Sequence, residues 1–136
     1  MFKTLIVEDS TFYRQLLKET LIGQFPSIEI SEAESGEEAL EMIKASLPDL
    51  IFMDIKLPGD SGLEVTKKIK IQYPDIPVII ITSYDLPEYR EAAKKYQANH
   101  FLSKGTTTKE NILTLVKSIL TKRNIDLNGH DPREPY

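Results

Sequence analysis

Residues 50–54 decide the fold, and they read Leu-Ile-Phe-Met-Asp. Consecutive large apolar side chains of this kind are typical of a strand covered on both faces, as in a parallel sheet between helices. Five short runs rich in Ile, Val, Leu or Phe occur along the chain, at residues 5–7, 28–30, 50–53, 78–81 and 101–102. The third run stops at Asp54, so we expect a carboxylate at the end of a buried strand.

The longer segments between these runs show helical spacing of apolar residues. The last segment carries a stripe of apolar side chains three or four residues apart, at Ile112, Leu115, Val116, Ile119 and Leu120. Three helix starts fit the capping-box pattern, namely Ser35 with Glu38, Ser61 with Glu64 and Thr107 with Glu110. Strand and helix therefore alternate five times. That alternation predicts an α/β fold, a doubly wound five-stranded parallel sheet with helices on both faces.

Length and composition limit the class of protein. The 136 residues suit one domain, which we assign to residues 1–121, with residues 122–136 as a tail or linker. A net charge of −4 disfavours nucleic acid or an anionic membrane as the main partner. The chain has no cysteine, which excludes disulfides and thiolate chemistry. No segment approaches the roughly 20 apolar residues of a membrane span, so we interpret the protein as soluble and cytoplasmic.

Polar residues with chemical potential stand where the apolar runs end. They are Glu8 and Asp9 after the first run, Asp54 after the third, Thr82 after the fourth, and Ser103 and Lys104 after the fifth. Each alone has an ordinary explanation as a helix cap, a strand residue or a solvated charge. Because the carboxyl ends of parallel strands share one edge, their joint occurrence predicts a single site.

The predicted site combines carboxylates, a hydroxyl and an ammonium, and this set favours phosphoryl chemistry. Crowded carboxylates repel one another, and Mg²⁺ relieves the repulsion through oxygen ligands while keeping room for a phosphoryl oxygen. Asp54 can then attack phosphorus and form an aspartyl phosphate. Lys104 and the metal would neutralise the phosphoryl oxygens, and Thr82 would donate a hydrogen bond to the product.

An ordered set of segments resembles the receiver domain of two-component response regulators over about residues 2–121. The segments are Val7-Glu8-Asp9-Ser10, residues 49–54 (DLIFMD), residues 57–63 (LPGDSGL), residues 75–83 (DIPVIIITS) and residues 101–104 (FLSK). The resemblance implies a flavodoxin-like fold with strand order 2-1-3-4-5. It also implies that Asp54 is the phosphoacceptor, and that Glu8, Asp9, Asp54 and the Lys56 backbone carbonyl hold Mg²⁺. Lys104 would contact the phosphoryl group, and Thr82 with Phe101 would form the switch pair.

The same resemblance implies a signalling switch and not an enzyme acting on an outside substrate. A sensor histidine kinase or a histidine phosphotransfer protein would phosphorylate Asp54, and the surface of the fourth helix, fifth strand and fifth helix would change. We expect a stand-alone receiver that acts by protein–protein contact or phosphorelay, without binding nucleic acid or a membrane. The alternative is a receiver fragment of a DNA-binding transcriptional regulator. A phosphorylation-dependent homodimer also stays open.

Three positions depart from the family pattern or vary within it. Gly105 follows Lys104 where the family usually has a proline in a cis peptide, so either state of this bond stays open. Lys56 and Tyr84 flank the site, and we hypothesise that they limit water access and slow hydrolysis of the phosphoryl bond. The alternative is that both side chains simply point to solvent.

Other function classes fit the sequence less well. An aspartyl-nucleophile phosphatase of the haloacid dehalogenase type needs a second Asp two positions after the first, and Lys56 occupies that place. No phosphate-binding Gly-rich P-loop occurs, and a flavin site would need a phosphate-cradling loop where Glu8 and Asp9 stand. His100 and His130 lack zinc-ligand spacing and are interpreted as surface residues.

Overall fold

The computed structural model describes residues 2–123, in which five strands alternate with five helices. In chain order the elements are β1 Lys3–Val7, α1 Thr11–Gln24, β2 Glu29–Ala33, α2 Gly36–Ala45, β3 Leu50–Met53, α3 Gly62–Gln72, β4 Val78–Thr82, α4 Pro87–Lys95, β5 His100–Ser103 and α5 Lys109–Lys122. The predicted alternation is confirmed. Within these residues no helix is long and apolar enough to cross a bilayer.

The five strands form one parallel sheet in the order β2-β1-β3-β4-β5. The predicted fold class and strand order are confirmed. The chain runs from β1 outward to β2 and then returns past β1 to β3, so the direction of winding reverses between β1 and β3. In doubly wound sheets, ligands bind at this reversal, outside the carboxyl ends of the strands. The topology therefore singles out the ends of β1 and β3.

Both faces of the sheet are covered, which explains the unbroken apolar runs of β3 and β4. One set of side chains packs under α2, α3 and α4, and its buried strand members are Leu5, Val7, Ala33, Ile51, Met53, Val78 and Ile80. The alternate set packs under α1 and α5, and its central members are Ile6, Phe52, Ile79 and Ile81. Every residue of β3 and β4 is buried. Burying one such side chain stabilises the fold by about 1.5–3 kcal/mol.

The predicted helix caps hold in part. Ser35 caps α2 by accepting a hydrogen bond from the Glu38 amide at 3.2 Å, but the Glu38 carboxylate bonds the Glu34 amide at 3.2 Å. Ser61 caps α3 through the amide of Leu63 at 3.0 Å. Neither start therefore closes the reciprocal box with its predicted partner.

The predicted cap of α5 is wrong by one residue. Thr108, and not Thr107, accepts from the Asn111 amide at 3.1 Å, and the Asn111 side chain accepts from the Thr108 amide at 3.1 Å. Three threonines in a row offer the same hydroxyl, and Asn111 completes the box where Glu110 was expected. The helix ends at Lys122, one residue into the predicted tail, and the tail beyond residue 123 lies outside the described residues.

Candidate functional site

Three carboxylates meet at the ends of β1 and β3. Glu8 and Asp9 follow β1, Asp54 follows β3, and one oxygen of each lies within 4.8 Å of the others. The pairing of the two strands fixes this arrangement, because the Asp54 amide donates to the Val7 carbonyl at 3.0 Å. Glu8 is 2% exposed and Asp54 6%, whereas Asp9 is exposed. Two of the three acids are thus held away from water in a hard-oxygen cluster.

An ammonium group lies inside this cluster. Lys104 follows β5, and its Nζ is 2.6 Å from Glu8 Oε1 and 3.4 Å from Asp54 Oδ2. The Lys104 side chain is 14% exposed. Its backbone is fixed because the Lys104 amide donates to the Thr82 carbonyl at 2.8 Å. Lys104 therefore supplies the counter-charge of two buried acids from the opposite half of the sheet.

Burial shifts the pKa of Glu8 and that of the neighbouring Tyr13. Burial raises the pKa of Glu8, while the hydrogen bond from Lys104 and the amide of Ser10 lower it, and the charge of Asp54 raises it further. Burial, followed by the charges of Glu8 and Asp54, raises the pKa of Tyr13 to about 12. A site that disfavours its own negative charge in this way is suited to a cation with oxygen preference.

Asp54 is oriented by its neighbours on the chain. Its Oδ1 accepts a hydrogen bond from the Ile55 amide at 2.7 Å, which leaves Oδ2 facing Lys104. The start of α3 packs directly against this turn, since a Cβ at Gly62 would overlap the Asp54 carbonyl oxygen. The Gly62 amide also donates to the Ile55 carbonyl at 2.8 Å. Gly62 was not singled out from the sequence, because its role depends on how closely a helix start approaches.

Thr82 and Phe101 lie on the neighbouring strands. Thr82 is fully buried at the end of β4, and its hydroxyl oxygen accepts from the Tyr84 amide at 3.2 Å. Phe101 is half-buried on β5, and the guanidinium carbon of Arg90 lies 4.7 Å from its ring centroid. Arg90 in turn pairs with Asp85 through two hydrogen bonds. The aromatic side chain is therefore covered by a residue of α4 that is tied to the loop after β4.

The sequence comparison decides the family. The family described as "Response regulator receiver domain" matches residues 4–117. This chain is a response regulator receiver domain. Receiver domains bind Mg²⁺ through an acidic cluster, and they interact with histidine kinases and phosphotransfer proteins. They are signalling modules and not classical enzymes.

Curated relatives of this receiver differ in length. It is 36% identical over 119 residues to the chemotaxis protein CheY of Halobacterium salinarum, covering 88% of this chain and 97% of that protein. It is 29% identical to the DNA-binding transcriptional regulator NtrC of Escherichia coli K12, covering 91% of this chain but only 27% of NtrC. The match to NtrC therefore concerns one part of a longer protein.

Solved structures agree with the fold. The response regulator TrrA of Thermotoga maritima, solved in complex with Mg²⁺ and BeF, is 35% identical with a TM-score of 0.78. That match covers 88% of this chain and all of TrrA. A CheY-like receiver of Methanospirillum hungatei gives a TM-score of 0.82 at 26% identity, over 90% of this chain and 95% of that one.

Lys56 lies against aromatic rings beside the receiver site. Its Nζ is 5.0 Å from the ring centroid of Tyr84 and 5.5 Å from that of Tyr89. This contact joins the loop after β3 to the loop after β4 and to α4. The side chains of Lys56 and Tyr84 are nevertheless exposed, Tyr84 by 45%, so the hypothesis that they limit water access stays a prediction. The peptide bond from Lys104 to Gly105 is trans, as are all peptide bonds of the described residues.

Arg14 holds the acidic turn of the receiver in place, and the sequence analysis missed it. Its Nη1 donates to the Glu8 carbonyl at 2.7 Å, and its Nε and Nη2 pair with Glu32 at 3.1 Å and Glu34 at 3.3 Å. The side chain is 12% exposed. Of the two histidines, His100 is exposed as predicted, and His130 lies outside the described residues.

Proposed function

We propose that Asp54 accepts a phosphoryl group from the histidine of a sensor kinase or a histidine phosphotransfer protein. The observation that carries this proposal is the carboxylate cluster of Glu8, Asp9 and Asp54 within 4.8 Å, with the Lys104 ammonium among them. Mg²⁺ would be held by these three acids and by the backbone carbonyl of Lys56. The oxygen ligands of the site and the repulsion between its buried carboxylates fit this ion.

The chain's own residues account for the transfer. Asp54 Oδ1 accepts the short hydrogen bond from the Ile55 amide, so Oδ2, which faces Lys104 at 3.4 Å, is the oxygen placed to attack phosphorus. As the new O–P bond forms, the N–P bond of the donor breaks and its electron pair returns to the histidine nitrogen. Lys104, 3.4 Å from Oδ2, is placed to neutralise a phosphoryl oxygen once it leaves Glu8. Bound Mg²⁺ would add charge neutralisation at the same oxygens.

We propose that the response passes through Thr82 and Phe101. A phosphoryl group brings about −1.5 to −2 charge and strong acceptors to Asp54. Thr82 would then turn its hydroxyl from the Tyr84 amide toward the phosphoryl oxygens and leave space for Phe101 to rotate inward. A groove of about 600 Å³ lies between α4, β5 and α5, and both Phe101 and Arg90 line it. The ring movement would therefore change this groove.

The output we favour is control of a protein partner through this groove, or onward phosphotransfer. The near-complete coverage of CheY supports it. The receiver of a DNA-binding regulator is the second candidate, which the match to NtrC supports. Reading the gene beyond the codon for Tyr136 separates the two, since a transcription factor needs a DNA-binding domain there. Cytoplasmic location and a phosphorylation-dependent homodimer are further proposals, which fractionation and sedimentation with and without beryllofluoride would test.

The central experiment is phosphorylation by a small phosphodonor, followed by intact mass. With Mg²⁺ the wild-type chain should gain one phosphoryl group, and a chelator should prevent the gain. Asp54→Asn should lose it. Asp60→Asn is the matched control, because Asp60 is an exposed carboxylate paired with Lys68 away from the cluster. A phosphoryl group that persists in folded Asp54→Asn, or is absent from the wild type, would refute the assignment.

A further inference from the structure

Tyr13 contacts the ammonium group of the proposed phosphoryl site. It lies in the first turn of α1, where its amide donates to the Ser10 side chain at 3.2 Å. The Lys104 Nζ is 4.2 Å from the centroid of its ring. Among the described residues, the other cation–ring contacts are longer, between 4.7 and 5.5 Å. The helix cap thus places an aromatic face directly at the charge centre.

The three contacts of the Lys104 ammonium differ in how phosphoryl transfer affects them. The contact with Glu8, at 2.6 Å, must weaken because the same carboxylate is a proposed metal ligand. The contact with Asp54, at 3.4 Å, changes when that oxygen becomes the bridging oxygen of an acyl phosphate. The ring of Tyr13 takes part in neither event. It attracts a cation over its whole face, so it can hold the ammonium while its ionic partners change.

Little else restrains the end of this lysine. The turn after it is held by its backbone, because the amides of Thr106 and Thr107 donate to the Ser103 carbonyl at 3.3 and 2.9 Å, which fixes where the side chain starts but not where its ammonium lies. The Lys104 side chain is nevertheless only 14% exposed. An ammonium that has lost most of its water interacts more strongly with an aromatic face than an exposed one does. The ring is therefore the contact that can keep the ammonium near Asp54.

We propose that Tyr13 is a positioning residue for Lys104, whose ammonium stays on the ring face while it passes from Glu8 to a phosphoryl oxygen on Asp54. This inference rests on the proposed function of Asp54. It assigns Tyr13 no contact with the phosphoryl group. It predicts that the rate of phosphorylation depends on the ring face of Tyr13 and not on its hydroxyl.

The test compares two variants. Tyr13→Phe keeps the aromatic ring face, whereas Tyr13→Leu keeps an apolar side chain but removes the ring. At saturating Mg²⁺ and a fixed small phosphodonor, Tyr13→Leu should be phosphorylated about five- to tenfold more slowly, and Tyr13→Phe should retain most of the rate. In a Lys104→Met background, Tyr13→Leu should have no further effect, because the interaction is already gone. Tyr96→Leu, which removes the ring beside Lys67, is the matched control and should not alter the rate.

A structural measurement on the wild-type chain supplies the second arm. The ε-methylene protons of Lys104 should show an upfield ring-current shift in NMR spectra, both free and with Mg²⁺ and beryllofluoride. The shift should vanish in Tyr13→Leu. Equal phosphorylation rates for wild type and Tyr13→Leu, additive effects with Lys104→Met, or a shift lost on adding beryllofluoride would overturn the proposal. Failure of the proposed function looks different, since the wild type itself would then take up no phosphoryl group.

Discussion

The contact of Lys56 with two tyrosine rings predicts a slow loss of the phosphoryl group. The ammonium bridges the loop after β3, which carries Asp54, and the β4–α4 region, which carries Tyr84 and Tyr89. We infer that water that hydrolyses the aspartyl phosphate approaches between these two segments. Replacing Lys56 by Asn keeps the backbone carbonyl proposed as a metal ligand but removes both ring contacts. We therefore expect the phosphorylated variant to decay faster than wild type.

The size of the effect follows from the two contacts. A cation–π contact at an exposed site is worth about 0.5–1 kcal/mol, so two contribute roughly 1–2 kcal/mol. Because 1.4 kcal/mol corresponds to a factor of ten, the open bridge should become about five- to thirtyfold more populated in Lys56→Asn. If water enters only through the open bridge, the hydrolysis rate rises by the same factor. Tyr84→Ala removes one contact and should accelerate hydrolysis about two- to fivefold.

The assay follows decay of phosphorylated protein by intact mass after the phosphodonor is removed, with Mg²⁺ held constant. Lys67→Asn is the matched control, since Lys67 lies 5.3 Å from the ring of Tyr96 on a different part of the surface. Its decay rate should equal that of the wild type. If Lys56→Asn is as stable as wild type toward denaturant and decays no faster, the bridge does not restrict water.

Three further predictions concern Gly62, Arg90 and Lys70. Gly62→Ala should lower the free energy of unfolding by about 1–3 kcal/mol and slow phosphorylation, because the added methyl displaces the Asp54 carbonyl; an unchanged denaturation curve would contradict this. Arg90→Leu should tighten binding of Mg²⁺–beryllofluoride about two- to fivefold, since it frees the ring of Phe101 to rotate; fluorescence titration measures this, and weaker binding would count against it. Burial lowers the pKa of Lys70, so the folded chain binds fewer protons than the unfolded chain as the pH rises toward the ordinary value of 10.5. The wild type should therefore gain stability relative to Lys70→Met between pH 7 and 10, and a constant difference between their unfolding free energies would refute it.

The sequence predicted the sheet well where burial is complete and less well at its edge. β3 and β4 consist of continuous apolar residues, and their predicted bounds were right to within one residue. β2 was predicted at residues 28–30 but runs over Glu29–Ala33. As an edge strand it keeps Ser31 exposed and Glu32 half-exposed, so polar residues hide its true extent.

The strand-end rule found the acids and Lys104, because strand topology alone brings those positions to one edge. It could not find Tyr13 or Arg14, whose roles depend on how α1 is rotated over that edge. Both residues read from the sequence as ordinary members of an amphipathic helix. Arg14 shows the limit most clearly, since its partners Glu32 and Glu34 are 18 and 20 residues away on another strand and the loop after it.

The contact between Lys104 and Glu8 closes a loop of 96 residues. A contact of such long range forms only after the intervening chain is in place, so it depends on β5 having joined the sheet. Because the site joins the first strand to the last, a ligand bound there should stabilise the whole chain against unfolding. Amide hydrogen exchange should therefore slow even far from Asp54.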